Sequence, residues 1–485
     1  MASTLTIVTR VRIADGPGGA NHLRAALAVV HGNRLSPSSR PPSSASNVSM
    51  PSPSRSVSSH PPSSPVPPAS YGVAFHRVKG LHFGRFAVVD EEESKPAWGQ
   101  KKLLPAALVL SLVFDGTKVE CVEQLIEAAR RELDILYASC EGYPGPKADA
   151  ATVRDYLFSH DVVPFVFCQG AQGATVSAVH RTAALHEELR LKLDARLKSG
   201  TAETALSLAR DLRPHPPVIP AVDLPLLLPD LSQHALRLRM LAWIAVLASP
   251  LAVLMLFTGL TTWKLGASES ASMATSFAPM VVALLFLLGA EALDVRRSSP
   301  EPRPRPRDFS RVRIGEDVSV QNALSHCVVV KPGFHRWLTL RAVFWAIRQR
   351  VAIFDRYTGS LAGIASIHFA RWVPLDGGAR LLFLSDYDGS WESCLAEFVD
   401  RAPWGLSAIW SNTLDFPETW LLVFKGAKNE ERLKTWAREK QIETPLWYSA
   451  YPDRTVANIH NDLRMAQLLA QDKPAPADPA WLGLL

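Results

Sequence analysis

At 485 residues, with 47% apolar and 20% charged side chains, the chain is too long for one ordinary domain and too polar for a polytopic transporter. Its formal net charge of +6 and pI near 9.1 suit nucleic acid or an anionic membrane surface. The basic residues gather beside apolar segments, which favours the membrane and argues against nucleic acid. Five scattered cysteines (Cys121, Cys140, Cys168, Cys327 and Cys394) contain no CxxC pair. That excludes a disulfide framework and a zinc site, and fits the reduced thiols of a cytoplasmic protein. Met1 to Gly19 lacks an apolar stretch after a basic start, so no cleavable signal peptide is expected.

Alternating and helical periodicities give the elements in chain order. Thr4 to Ile13 reads as a strand and Asn21 to His31 as a helix. Arg34 to Ser70 is dominated by Ser and Pro, cannot bury a core and is expected to be disordered. Leu81 to Val89 and Ala107 to Phe114 are strands, and Asp115-Gly116 turns into a helix over Val119 to Glu132. Ile135 to Ser139 reads as a fourth strand, followed by a strand over Val162 to Phe167 and a helix over Ala174 to Lys198. His215 to Pro229, rich in Pro and Leu, reads as an extended approach to the membrane.

Met240 to Trp263 and Ala271 to Ala290 are uncharged and long enough to cross the roughly 30 Å hydrocarbon core. Pro250 and Pro279 are tolerated in such helices. Trp243 and Trp263 lie near the ends of the first span, where aromatic belts form. Arg237 and Arg239 precede the pair, and Arg296, Arg297, Arg303, Arg305 and Arg307 follow it. The positive-inside rule therefore places both flanks in the cytoplasm and Lys264 to Ser270 outside. Ser298 to Arg307 is a stiff basic linker beside the membrane.

The second half repeats the first. Leu81-His82-Phe83-Gly84-Arg85-Phe86 matches Ile367-His368-Phe369-Ala370-Arg371-Trp372. Phe114-Asp115-Gly116 matches Tyr387-Asp388-Gly389, and Tyr143-Pro144 matches Phe416-Pro417. The aspartate lies 29 residues before the proline in both halves, and Tyr137 then stands opposite Trp410. The His-to-Asp spacings are 33 and 20, and the extra residues follow Asp90 in a polar stretch suited to a hairpin insertion. Strands over Ser325 to Lys331, Ala365 to Leu375, Arg380 to Ser385 and Ser407 to Trp410 are expected in the second half. Its helices fall over Phe334 to Phe354 and Trp391 to Arg401, with a further strand and helix at Trp420 to Phe424 and Asn429 to Lys440. Gly170-Ala171 and Gly426-Ala427 sit at what reads as the same joint. The βαββαβ order is that of a ferredoxin-like unit. The expected layout is a first unit over 1–33 and 71–200, with 34–70 inserted. A linker (201–239), a transmembrane hairpin (240–295, spans 240–263 and 271–295) and a basic linker (296–318) follow. The second unit covers 319–465 and a flexible tail 466–485.

The repeated residues are the candidate site: His82, Arg85 and Asp115 in the first unit, His368, Arg371 and Asp388 in the second. Strict alternation puts His368, Ala370 and Trp372 on one face and Phe369, Arg371 and Val373 on the other. Two histidines where two sheets meet would suit a haem or metal ligand pair or an acid/base group. The plainer reading is a buried strand histidine duplicated with its unit. Asp115 and Asp388 read first as caps of the following helices, with catalysis the alternative. Phe334 to Arg356 mixes Trp and Phe with five arginines, which fits either a helix lying in the membrane interface or one covering its sheet. No HExxH, GxSxG, Cys-His pair or carboxylate dyad is present, and Gly16 to Gly19 has neither P-loop nor dinucleotide spacing.

Through SIHFARWVPLDGGARLLFLSDYDGSWESCLAEFVD, AIWSNTLDFP and PLWYSAYPDRTVANI, residues 320–465 resemble a bacterial family of membrane proteins of uncharacterised activity. The first half resembles it through GLHFGRF and the FDG turn. More distantly, the pattern resembles the dimeric α+β barrel superfamily, in which two ferredoxin-like sheets pack face to face. That superfamily includes dye-decolourising peroxidases and chlorite dismutases, which bind haem, and small oxygenases. Tyr387-Asp388-Gly389 keeps only the DG of the peroxidase GxxDG motif. The resemblance, added to the internal repeat and the uncharged spans, implies an α+β protein of two tandem ferredoxin-like units with an inserted transmembrane helical hairpin, which the flanking arginines place in the inner membrane with both termini cytoplasmic. It implies either a haem-dependent, peroxidase-like oxidoreductase acting on an apolar small molecule, or a non-catalytic membrane-tethered binding or scaffold module.

Overall fold

A computed structural model describes residues 2–12, 19–32, 72–94, 102–198, 233–283, 316–317, 319–355 and 363–470, with a few isolated positions between 219 and 289 and at 483–484. The Ser/Pro-rich segment 34–70, the basic linker Ser298 to Arg307 and most of the tail after Asp472 lie outside the described residues.

The first half gives β1 (Ala2–Arg10), α1 (Gly19–Gly32), β2 (Leu81–Val89), β3 (Glu92–Ser94), β4 (Lys102–Leu104), β5 (Ala107–Asp115), α2 (Lys118–Tyr137), α3 (Ala150–Ser159), β6 (Val166–Gln169) and α4 (Val176–Lys198). Then come α5 (Gln233–Lys264) and α6 (Glu269–Ser276). The second half gives β7 (Gln321–Val329), α7 (Phe334–Arg350), β8 (Ile367–Leu375), β9 (Arg380–Asp388), α8 (Trp391–Arg401), α9 (Pro403–Trp410), β10 (Thr419–Trp420), β11 (Phe424–Lys425), α10 (Glu430–Lys440), β12 (Leu446–Ser449) and α11 (Val456–Ala470).

The protein is α+β, with two four-stranded antiparallel sheets ordered β1-β5-β2-β12 and β6-β8-β9-β7. Each sheet takes an edge strand from the other half of the chain. Leu446 of β12 stands opposite Phe86 of β2, and Val166 of β6 stands opposite Trp372 of β8. The expected fourth strands are therefore wrong. Ile135 lies in the last turn of α2, and Ser407 to Trp410 is helical. Leu133, Leu136 and Tyr137 are buried at helical spacing, as are Leu406, Ile409 and Trp410. Such short apolar runs fit either period until a neighbour fixes them. Trp420 to Phe424 is also corrected: it spans the turn of a hairpin between two-residue strands, and β12 with α11 follows the pattern of β6 with α4. The joint facing Gly170-Ala171 is thus Ala450-Tyr451, not Gly426-Ala427. The polar stretch after Asp90 forms the hairpin β3–β4, as expected for an insertion.

Helices cover the outer face of each sheet. Leu23, Leu27, Leu125 and Leu133 pack on Leu5, Phe86 and Leu110 of the first sheet. Leu340, Phe344, Leu395 and Trp436 pack on Val328, Trp372 and Phe383 of the second. The inner faces meet each other: Phe83 and Val113 join Phe369, while Ala87 and Val109 join Val373 and Leu384. At one end α4 and α11 pair through Leu185, Leu189, Met465 and Leu469.

α5 is the one helix among the described residues long and apolar enough to cross a membrane, and none of its apolar window is buried by protein. α6 folds back against it. A side chain at Gly259 would lie 2.1 Å from Ser276 Oγ, and Thr262 meets Thr275 at 2.9 Å. Small residues permit this close approach. Of the second expected span, 271–283 is helical apart from a turn at Phe277, and the remainder is described only at isolated positions.

His326 on β7 is buried against Trp410 and Trp436, at ring distances of 5.1 and 4.7 Å, with neither ring nitrogen bonded. Burial, and secondarily the charge of Lys440, lower its pKa from 6.5 to about 3. The unfolded chain therefore binds a proton below pH 6.5 that the folded chain refuses until pH 3. Stability is full above pH 6.5 and falls by about 1.4 kcal/mol per unit below it. In the first sheet Ile7 takes the matching place: Ile7 bridges Asp161 as His326 bridges Gln441. His326→Ile is expected to remove this acid sensitivity. Between pH 6.5 and 4.5 the denaturation free energy of the variant should gain about 2–3 kcal/mol on the parent, and parallel curves would contradict the assignment.

Candidate functional site

The DG turns end β5 and β9. Thr117 caps α2, its hydroxyl accepting from Glu120 N while the Glu120 carboxylate accepts from Thr117 N, and Ser390 caps α8. The cap is thus the residue after the glycine, and each aspartate is free to turn inward. Asp115 Oδ1 lies 3.1 Å from His82 Nε2, and its Oδ2 accepts from Val176 N at 2.8 Å. Asp388 Oδ1 lies 2.7 Å from His368 Nε2, and its Oδ2 accepts from Val456 N at 2.7 Å. Each aspartate thus joins a strand histidine to the first turn of the helix that follows an exchanged strand. Carboxylate at a helix N-terminus is favoured by the unpaired N–H groups and the dipole there.

The histidines face the opposite sheet, which strict alternation does not allow. Both β2 and β8 slip register at this residue, between Leu81 and Phe83 and between Ile367 and Phe369. The bulge places His82 and Phe83 on one side, with Leu81 beneath the helices. His82 therefore stacks edge-on to Phe369 at 5.3 Å, and Phe83 lies 5.4 Å from His368. Trp372 and Phe86, on the alternation pattern partners of the histidines, pack under the helices instead. His, Arg and Asp from one half consequently share the inter-sheet side.

Tyr451 breaks the correspondence between the halves. Its Oη lies 2.7 Å from His82 Nδ1, and its ring stands 6.0 Å from His368. A carboxylate only accepts, so His82 Nε2 carries the proton toward Asp115 and Nδ1 accepts from the tyrosine. Burial, then the charge of Asp386, hold the Tyr451 phenol well above its usual range, which keeps it a donor. Ala171 takes the matching place in the other joint.

The arginines reach across the interface. Arg85 donates to Leu324 O and Ser385 O, both at 3.0 Å, and pairs with Asp386. Arg371 donates to Leu112 O at 3.1 Å and to the hydroxyls of Thr4 and Ser111. Trp447 Nε1 donates to Asp386 at 2.9 Å. Tyr451, Asp386 and Trp447 were not singled out from the sequence. Leu446 to Tyr448 is a short apolar, aromatic run between Pro445 and Pro452, and that signal would have located the strand carrying Trp447.

His82 and His368 are 1% and 3% exposed, and Phe83, Phe167, Phe369 and Trp447 fill the space around them. With Nε2 of both histidines on a carboxylate and His82 Nδ1 on Tyr451, these residues do not fit a haem ligand pair. None of the five cysteines forms a disulfide and all are buried; burial pushes the thiols of Cys121, Cys140, Cys327 and Cys394 up, Cys140 to about 11 and Cys327 to about 12. None of these four is poised as a thiolate. No trio of His, Cys, Asp or Glu among the described residues is arranged to hold a metal. No protein-family model, curated protein or solved structure matches the chain.

Proposed function

We propose that the chain is a membrane-tethered, non-catalytic binding or scaffold module. It is built from two copies of one ferredoxin-like unit whose sheets form a single body. The occupied ring nitrogens of His82, in a space packed by Phe83 and Phe369, carry this reading. A catalytic acid or base needs reach to a substrate, and no side of this ring offers it. The His–Asp pairs are latches that fasten the helix after each exchanged strand. Duplication is supported by paired bridges: Val11 with Cys140 against Val330 with Thr413, and Ile7 with Asp161 against His326 with Gln441.

The tether is α5 together with the uncharged stretch Ala271 to Ala290, a hairpin that crosses the inner membrane twice with both termini cytoplasmic. Arg237 and Arg239 on one flank and the Arg296 to Arg307 cluster on the other support that orientation. Reporter fusions within Lys264 to Ser270 and at the C-terminus test it, and an external C-terminus would refute it.

The latch reading predicts that His82→Ala costs about 1–3 kcal/mol in denaturation, because Asp115 and Tyr451 both lose a partner. His368→Ala costs less, having one such bond. The purified protein should show no Soret absorbance. Loss of a bound chromophore or small molecule in a folded His368→Ala variant would overturn the non-catalytic reading.

A further inference from the structure

α7 is amphipathic in an unusual sense. Its buried side is Arg336, Thr339, Leu340 and Phe344, packed on the second sheet and its neighbouring helices. Its exposed side is Phe334, Trp337, Leu338, Arg341, Trp345 and Arg348, spaced three or four residues apart along one continuous stripe. Phe334 is 71% exposed and Trp337 45%, and Arg341 lies over the Trp337 ring at 4.4 Å. The helix contains no Asp or Glu. In water such a face would leave large aromatic surface uncovered without any repelling carboxylate.

The position of this helix says what covers it. Trp243 Nε1 on α5 donates to Ala346 O at 3.2 Å, and Arg239 donates to Ile353 O at 2.7 Å in the π-helical turn after α7. The uncharged stretch of α5 begins at Met240. At 1.5 Å rise per residue, residues 239 to 243 span about 6 Å, the depth of one headgroup layer. The end of α7 is thus bonded to α5 at the level where that helix enters hydrocarbon.

We propose that the Phe334–Trp337–Arg341–Trp345 face of α7 docks on the anionic headgroup layer of the membrane that α5 crosses, with its aromatic rings in the acyl boundary and Arg341 on lipid phosphate, while Arg348 holds the helix to the body by donating to Phe165 O at 2.7 Å. This rests on reading α5 as a membrane span. Aromatic residues interleaved with arginine are the composition that binds such a layer.

The test uses the full chain reconstituted in vesicles of phosphatidylcholine with phosphatidylglycerol. The five native cysteines are buried, so single cysteines at Trp337→Cys and Trp345→Cys accept a polarity-sensitive fluorophore selectively. Val163→Cys, at a position 72% exposed in the first half, and Leu256→Cys, 63% exposed within α5, are the water and membrane references. A nitroxide near the lipid headgroup end of the acyl chain should quench the labels at 337 and 345 by about two-fold or more and leave 163 unquenched. Arg341→Glu should cut quenching at Trp345→Cys in these vesicles by about two-fold. Labels at 337 and 345 that behave like 163, while 256 is quenched, would overturn the docking and leave the span intact. An unquenched 256 would overturn the span and the docking with it. Quenching indifferent to Arg341→Glu and to replacing phosphatidylglycerol by phosphatidylcholine would overturn the anionic assignment.

Discussion

Asp386→Ala is expected to destabilise the protein by about 3–5 kcal/mol, the largest loss among single substitutions between the sheets. Arg85 and Asp386 are 0% and 1% exposed, and Arg371 is 2% exposed. Arg371 bonds only to neutral groups, namely a carbonyl and two hydroxyls. Burial, and next the charge of Arg85, depress its pKa to about 9, while Asp386 acts in the opposite direction. Among the described residues, Asp386 is therefore the carboxylate that pairs with Arg85 and acts on Arg371. Removing it leaves two buried cations facing each other, and Trp447 without its acceptor. Asp386→Asn should recover only part of the loss, since the amide restores a hydrogen bond and not the charge. Replacing Arg85 and Asp386 together by Met and Leu should cost far less than Asp386→Ala, because no unpaired charge remains. Chemical denaturation of the three variants decides the matter. A loss below about 1 kcal/mol for Asp386→Ala would mean that water reaches the pair.

Ending the chain after Thr444 is expected to unfold a sheet more than three hundred residues upstream. The deletion removes β12 and α11. β2 then loses the partner of Phe83 to Phe86, His82 loses Tyr451, and α4 loses the helix it packs against. The inter-sheet face also loses Trp447, and Asp388 loses Val456 N. β2 becomes an unpaired edge carrying the apolar residues Phe83, Phe86 and Val88, which invites aggregation. Amide exchange over Leu81–Val89 should rise by about a thousand-fold, reporting a loss of roughly 4 kcal/mol of local stability. Supplying residues 443–470 as a peptide should restore part of the protection. Unchanged exchange in the truncated chain would show that the first sheet stands without the borrowed strand.

Much of this was legible in the amino-acid order. The paired motifs at His82 and His368, the Asp-Gly turns and the hairpin after Asp90 follow from local chemistry and spacing, as does the apolar length of Met240 to Trp263. Each of these depends on neighbours within a few residues, through turn geometry, helix capping or the rise of a helix across hydrocarbon. Three features depended on tertiary structure. The fourth strand of each sheet comes from the opposite half, because a four-residue strand such as Leu446–Ser449 has no preference of its own and pairs with whichever edge is open. The direction of His82 and His368 is set by a bulge in the pairing of β2 and β8 with their neighbours, and a single extra residue inverts the face that alternation assigns. Tyr451 and Asp386 reach the site because the packing of two sheets brings distant residues within bonding distance. No spacing along the chain encodes that approach, since it is the burial of both inner faces that fixes it.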